Sequence, residues 1–214
     1  VVCIFVLYSL LIGIPVYNSI SNTLVSEHEQ AITKLEAQLI SELNFLLQEN
    51  ESVANTGALR SDAALLVAND TDVKTSVDRL FANIIRLNPN RYLRVQYITS
   101  NGVILNEIVN ERGTPLIMGN DSLPRTDVSV IQSNSFQNVL RAIDADNFYI
   151  SSITLETDEL GEPKITLQAT FSVYVPVFDL INHRSQLGTV RFVIAANPLL
   201  DVIHTFVLNE IKPY

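Results

Sequence analysis

The sequence ITLQATFSVYVPV, at residues 165–177, alternates apolar and polar side chains with a period of two. That period is typical of a β-strand with one face in a hydrophobic core. The sequence TVRFVIAA, at residues 189–196, is apolar at almost every position, as in a central strand that is covered on both faces. We therefore predict that the two segments form the central pair of an antiparallel sheet, joined by a hairpin loop at residues 179–187.

Further strands and helices are predicted on both sides of this pair. Strands at residues 91–99 and 103–109 would form a hairpin, because Ser100-Asn101-Gly102 between them favours a tight turn. A fifth strand is predicted at residues 148–156. Helical periodicity predicts short helices at 59–68 and 133–143, a longer helix at 71–88 and a terminal helix from Pro198, while residues 110–128 are predicted to be a loop. The expected fold class is α+β, with a five-stranded antiparallel sheet whose last strand lies beside the first.

The first 56 residues show no strand pattern and divide into two parts. Residues 1–20 carry no charge and are mostly apolar, which predicts a transmembrane helix truncated at its start, with a secretory signal peptide as the alternative. Residues 21–56 place Leu at every fourth position from Leu35 to Leu47 and charges on the other faces, which predicts a long stalk helix. Because the chain begins without Met inside the apolar run, we interpret it as a fragment of a longer protein.

Charge and motifs argue against several classes of function. The formal net charge of −9 argues against nucleic-acid binding, which requires clustered Lys and Arg. The single cysteine is Cys3, and the three histidines, His28, His183 and His204, have no metal-ligand spacing. Neither a nucleophile elbow nor a phosphate-binding glycine loop occurs. We therefore predict no catalytic residue, no metal and no cofactor.

The order and spacing of several short segments resemble a known family. After the apolar segment and the long helix come YLRVQYI at residues 92–98, YISS at 149–152, VPVF at 175–178 and GTVRFV at 188–193. Together they resemble the extracytoplasmic PDC (Cache) sensor domains, which have a PAS-like fold and occur in bacterial histidine kinases, diguanylate cyclases and chemoreceptors. The resemblance implies that residues 57–214 form one such sensor domain, the membrane-distal module. The aromatic, Arg and Asp pattern of amino-acid-binding relatives cannot be placed in this sequence, so an amino-acid ligand is not supported.

One face of the strand at residues 165–177 carries uncharged polar side chains where a solvent-exposed strand would usually carry Lys or Glu. In a PAS-like fold, one face of the sheet holds a helix and the other holds a ligand cavity. We therefore predict a small polar pocket under the loop at residues 110–128. Its predicted ligand-binding residues are Arg94, Gln96, Tyr149, Ser172, Tyr174 and Arg191. The arginines would favour a carboxylate or phosphate ligand. The alternative is that these are ordinary half-exposed sheet positions and that both arginines pair with acids.

The resemblance implies the extracytoplasmic ligand-sensing domain of a bacterial transmembrane signalling receptor. Such a receptor would sit in the inner membrane, with the folded domain in the periplasm or outside the cell. The stalk helix would form a homodimer, and the stalk and terminal helices would transmit small-molecule binding to a cytoplasmic output domain beyond this chain. This chain itself is not expected to be an enzyme. A periplasmic protein-interaction module that binds no small molecule and an anchored enzyme are the alternatives.

Overall fold

The computed structural model describes residues 2–56, 59–61, 63, 65, 70–118, 125–126, 148–155, 168–181 and 185–210. The chain divides into two compact units. One unit comprises Val1–Leu43 with Leu199–Tyr214, and the other comprises Asn44–Pro198. The sheet and all predicted ligand-binding residues lie within the second unit.

A single helix, α1 (Val2–Ala54), covers both the predicted membrane segment at residues 1–20 and the predicted stalk at 21–56. No helix end marks the predicted boundary between the two segments. Toward its C-terminal end α1 becomes buried, because Leu46, Asn50 and Ala54 are shielded from solvent. Within the part of the chain that the structure describes, no helix is sufficiently long and apolar to cross a membrane.

An antiparallel sheet forms the centre of the second unit. Its strands are β1 (Tyr92–Thr99), β2 (Val103–Glu111), β3 (Thr114–Ile117), β4 (Arg125–Thr126), β5 (Tyr149–Ile150), β6 (Thr154–Leu155), β7 (Ala169–Phe178) and β8 (Gln186–Ala195). Six of them follow the order β3-β2-β1-β8-β7-β5, while β4 pairs with β2 and β6 pairs with β7. The last strand therefore lies beside the first, as predicted, and β7 and β8 form a central pair.

The sheet is larger than the five strands that the sequence predicts. Part of the predicted loop at residues 110–128 is strand β3, which follows a two-residue turn in which Arg112 and Gly113 adopt positive φ angles of 52° and 89°. The amide of Gly113 donates to Asn110 Oδ1 over 2.8 Å and closes this turn. The predicted strand at residues 148–156 is in fact two strands, β5 and β6, of two residues each. Segments this short carry no readable apolar period.

The helix α2 (Thr71–Leu87) covers one face of the sheet and contacts β1, β2 and β3. Its N-cap is Asp70, whose side chain accepts hydrogen bonds from the amides of Asp72 and Val73. This start and the end at Asn88 confirm the predicted helix. The core beneath it consists of apolar and aromatic side chains from the helix and the sheet, including Val77, Phe81, Ile85, Tyr92, Val95, Ile108, Val173 and Phe192.

The terminal helix is also confirmed, as α3 (Asn197–Glu210) with Pro198 in its first turn. The predicted helix at residues 133–143 lies outside the described residues, as does the start of the predicted strand at 165–167. The predicted helix at 59–68 is described at 59–61, 63 and 65, where the chain is helical.

Candidate functional site

A row of five side chains crosses the face of the sheet that points away from α2. Backbone pairing places Glu107, Gln96, Arg191, Tyr174 and Tyr149 opposite one another on β2, β1, β8, β7 and β5. Directly paired residues in an antiparallel sheet project to the same face. We call these five residues the polar row.

Arg94 and Ser172 extend the polar row by one position along the strands. Both pair with Val193 of β8, so their side chains lie on the same face as Gln96, Tyr174 and Arg191. The structure therefore brings all six predicted ligand-binding residues to one face of the sheet. Their role in binding a ligand remains a prediction.

Hydrogen bonds link these side chains into a continuous chain. Arg191 Nε donates to Ser172 Oγ over 3.2 Å, and Arg191 Nη1 donates to Gln96 Oε1 over 3.3 Å. Gln96 Nε2 in turn donates to Glu107 Oε1 over 2.8 Å. The same carboxylate oxygen lies 3.3 Å from Arg94 Nη1. The amide of Gln96 is thus fixed at both ends, with its oxygen toward Arg191 and its nitrogen toward Glu107.

Most of the chain of hydrogen bonds is shielded from water. Gln96 is fully buried, and Ser172, Tyr174 and Glu107 are also buried, whereas Arg94, Tyr149 and Arg191 are half-buried. Polar interactions are stronger at such a site than in water, and an unpaired charge there is correspondingly costly. The half-buried members are partly accessible to solvent.

The two arginines differ in how their charge is compensated. Arg94 forms an ion pair with Glu107, as the alternative interpretation of the sequence requires. Among the described residues, however, Arg191 has only neutral partners: the Ser172 hydroxyl, the Gln96 carbonyl and the ring of Tyr174, whose centroid lies 5.6 Å from its Cζ. A guanidinium has five N–H donors, and the described bonds of Arg191 use two of them. Its Nη2 group forms no hydrogen bond with the residues that the structure describes.

Sequence reasoning did not include Glu107 among the site residues. Counting outward from the turn at residues 100–102 pairs Gln96 with Asn106, which would place Asn106 on the polar face. The register instead shifts between Tyr97 and Ile98, because Leu105 is an extra residue in β2. This bulge moves Glu107 opposite Gln96. The only signal in the sequence for Glu107 as a site residue was that it lies one residue from the position expected opposite Gln96.

A separate cavity of about 250 Å³ lies in the same unit. It is lined by Glu51, Asn55, Arg60, Phe148, Val175, Pro176 and Phe178. Arg60 donates from Nε and Nη2 to the backbone carbonyls of Phe178 and Asp179, each over 3.1 Å. These bonds direct its guanidinium to the backbone at the end of β7. The cavity contains none of the predicted ligand-binding residues.

Comparisons with known proteins give matches of structure only. No family model matches the chain, and no curated protein matches it in sequence. A domain of a sensory box/GGDEF family protein from Vibrio parahaemolyticus has a TM-score of 0.61 at 11% identity, over 81% of this chain and 61% of that one. The extracellular domain of a histidine kinase described under the name vpHK1S-Z8 has a TM-score of 0.62 at 14% identity, over 87% of this chain and 62% of that one.

A chemoreceptor structure is also similar, at a lower TM-score. The ligand-binding domain of the Pseudomonas aeruginosa amino acid chemoreceptor PctC, in complex with GABA, has a TM-score of 0.53 at 13% identity, over 83% of this chain and 64% of that one. In each of these matches the chain spans less than two thirds of the other protein's length. It has the fold of the extracellular Cache or PDC-like sensor domains of histidine kinases, GGDEF proteins and chemoreceptors.

Proposed function

We propose that the chain is the extracytoplasmic ligand-sensing domain of a bacterial transmembrane signalling receptor and that it binds a small anionic molecule. The observation that supports the ligand class is the charge of Arg191, which has only neutral partners among the described residues, on a shielded polar face. A carboxylate or phosphate could accept two parallel hydrogen bonds from such a guanidinium. Tyr149, half-buried and with its ring centroid 6.1 Å from that of Tyr174, would form the opposite wall.

The anchor, the location, the association with a second copy and the output domain are proposed because the chain has the fold of receptor sensor domains. Residues 1–20 would anchor the protein in the inner membrane, and the folded domain would lie in the periplasm or outside the cell. The stalk would associate with a second copy, and a kinase, cyclase or chemoreceptor output domain would lie in the cytoplasm. A ligand shifts such a receptor only by the difference between its affinities for the two signalling states.

Contacts that join the end of α1 to the start of β1 and to the residues just before it support a route for the signal. Glu49 accepts a hydrogen bond from Asn88 over 3.0 Å and forms an ion pair with Arg91 at 2.9 Å. Tyr92 donates its hydroxyl proton to Asn50 Oδ1 over 2.8 Å, and burial raises the pKa of this hydroxyl above its ordinary range. The strand that holds Arg94 and Gln96 is therefore bonded at its start to the helix that would lead to the membrane.

Replacing Arg191 with Ala should abolish ligand-induced stabilisation of the full chain. A thermal-shift screen of organic anions, amino acids, amines and nucleotides first identifies a stabilising compound. At a hundredfold excess over the dissociation constant, a ligand stabilises the folded state by about 2.7 kcal/mol. Removing the charged partner of a partly buried, charge-assisted contact should weaken ligand binding about a hundredfold. The matched control is Arg79→Ala, an exposed arginine of α2. Equal shifts in wild type and Arg191→Ala would refute the proposed site.

A periplasmic protein-interaction module remains the second candidate, because one edge of the sheet is apolar. Strand β3 lies at the end of the strand order, and its Leu116 and Ile117 are 41% and 47% exposed. Exposed edges can accept a strand from another protein. If this function is correct, Leu116→Lys would abolish capture of a periplasmic partner while the screen yields no small ligand.

A further inference from the structure

Glu107 is the acidic member of the polar row, and its position was not expected. It is 9% exposed and lies opposite Gln96, which separates it from Arg191. Its oxygen Oε1 accepts a hydrogen bond from the Gln96 amide and forms an ion pair with the Arg94 guanidinium. Glu107 is therefore fixed in place and shielded from water, so its charge acts at short range with little screening.

Arg94 and the five residues of the polar row together carry one net positive charge. Arg94 and Arg191 contribute two positive charges and Glu107 contributes one negative charge, and the other members of the polar row are uncharged. Because Glu107 is paired with Arg94, the remaining positive charge resides on Arg191. One negative charge on a ligand would neutralise the site. A second one would meet the Glu107 carboxylate, and like charges brought together at a desolvated site are strongly disfavoured.

We infer that Glu107 makes the site selective for ligands with a single anionic group, so that the ligand carries one carboxylate on Arg191 and no second anionic group. This inference rests on the proposed function and specifies its ligand class. Glu107 is a specificity-determining residue in this scheme, because it rejects a second anionic group. Through Gln96 it also orients the carbonyl that accepts the hydrogen bond from Arg191.

The test compares two four-carbon probes of different charge, butyrate and succinate. Their dissociation constants for the full chain are measured by thermal shift and by calorimetry. Wild type should bind butyrate at least about tenfold more tightly than succinate, because succinate places a second negative charge at the site. Glu107→Gln keeps an acceptor for Gln96 and Arg94 but removes the negative charge. It should shift the succinate-to-butyrate preference about tenfold toward succinate.

Two variants test whether the charge of Glu107 causes the preference for butyrate over succinate. Glu111→Gln removes the same charge from an exposed position of the same strand and should leave the preference unchanged. Glu107→Asp keeps the charge, should retain the wild-type preference, and serves as the test if Glu107→Gln does not fold. Succinate binding as tightly as butyrate, no binding of either probe, or an unchanged preference in Glu107→Gln would overturn the inference. If Arg191→Ala still binds butyrate, the proposed site itself fails; if Arg191→Ala loses butyrate but Glu107→Gln keeps the preference, only the role of Glu107 fails.

Discussion

Gly188→Ala is expected to destabilise the protein by about 3 kcal/mol, at the upper end of the range for overpacking a core. A Cβ atom at Gly188 would lie 2.5 Å from Tyr97 Oη, 2.6 Å from Tyr97 Cζ and 2.7 Å from the carbonyl oxygen of Ile98. Tyr97 is fully buried and cannot swing away. The carbonyl belongs to β1, which pairs with β8 along its length, so moving it would disrupt the central ladder. Denaturant unfolding of both proteins gives the free energy difference.

Gly113→Ala is the matched control for this steric effect. Gly113 has a φ of 89°, but the nearest atom to a Cβ there is 3.9 Å away. Its substitution should therefore cost only the backbone strain of a left-handed conformation, about 1–2 kcal/mol. If Gly188→Ala loses no more stability than Gly113→Ala, the close packing of Tyr97 against β8 does not require glycine at position 188.

The central strands β7 and β8 could be predicted because their burial restricts which side chains they can carry. Strand β7 is buried at every position from Thr170 to Val177, and β8 is buried at most positions, since both lie inside the sheet. Such burial restricts the side chains and leaves a period or an apolar run in the sequence. The edge strands β3 to β6 are two to four residues long and are formed mainly by backbone pairing, which any sequence can make.

The sequence predicts which face of the sheet carries the site. It does not predict the register of β2, which decides which of its residues lie on that face. The alternation in β7 assigns Ser172 and Tyr174 to the polar side, and pairing extends that side to Gln96 and Arg191. The bulge at Leu105 has no signature in the residue types, yet it decides whether Asn106 or Glu107 faces the site. A slip of one residue exchanges the two faces of a strand. The charge of the site therefore depends on a backbone detail that the sequence does not encode locally.

The same bulge directs Asn106 to the interface with α2, where it meets a buried acid. Asn106 Nδ2 donates to Asp78 Oδ1 over 2.8 Å and to the carbonyl of Lys74 over 3.2 Å. Asn106 Oδ1 is buried and has no hydrogen-bond partner among the described residues. Desolvation raises the pKa of Asp78 above its ordinary value of 3.8, although Asn106 and the charge of Lys74 oppose the shift. A proton on Asp78 would supply the donor that Asn106 Oδ1 lacks.

Asp78→Asn should raise the free energy of unfolding by about 1–2 kcal/mol at pH 7.5, because the amide mimics the neutral acid and adds a donor for Asn106. A raised folded-state pKa gives stability that is present below pH 3.8 and is lost as the pH rises through the folded pKa. The advantage of the variant should therefore grow between pH 4 and pH 7.5, as measured by urea unfolding. Asp72→Asn, at an exposed position in the first turn of α2, should instead be slightly destabilising. A less stable Asp78→Asn at neutral pH would mean that Asp78 is charged in the folded protein and that Asn106 is held by a carboxylate.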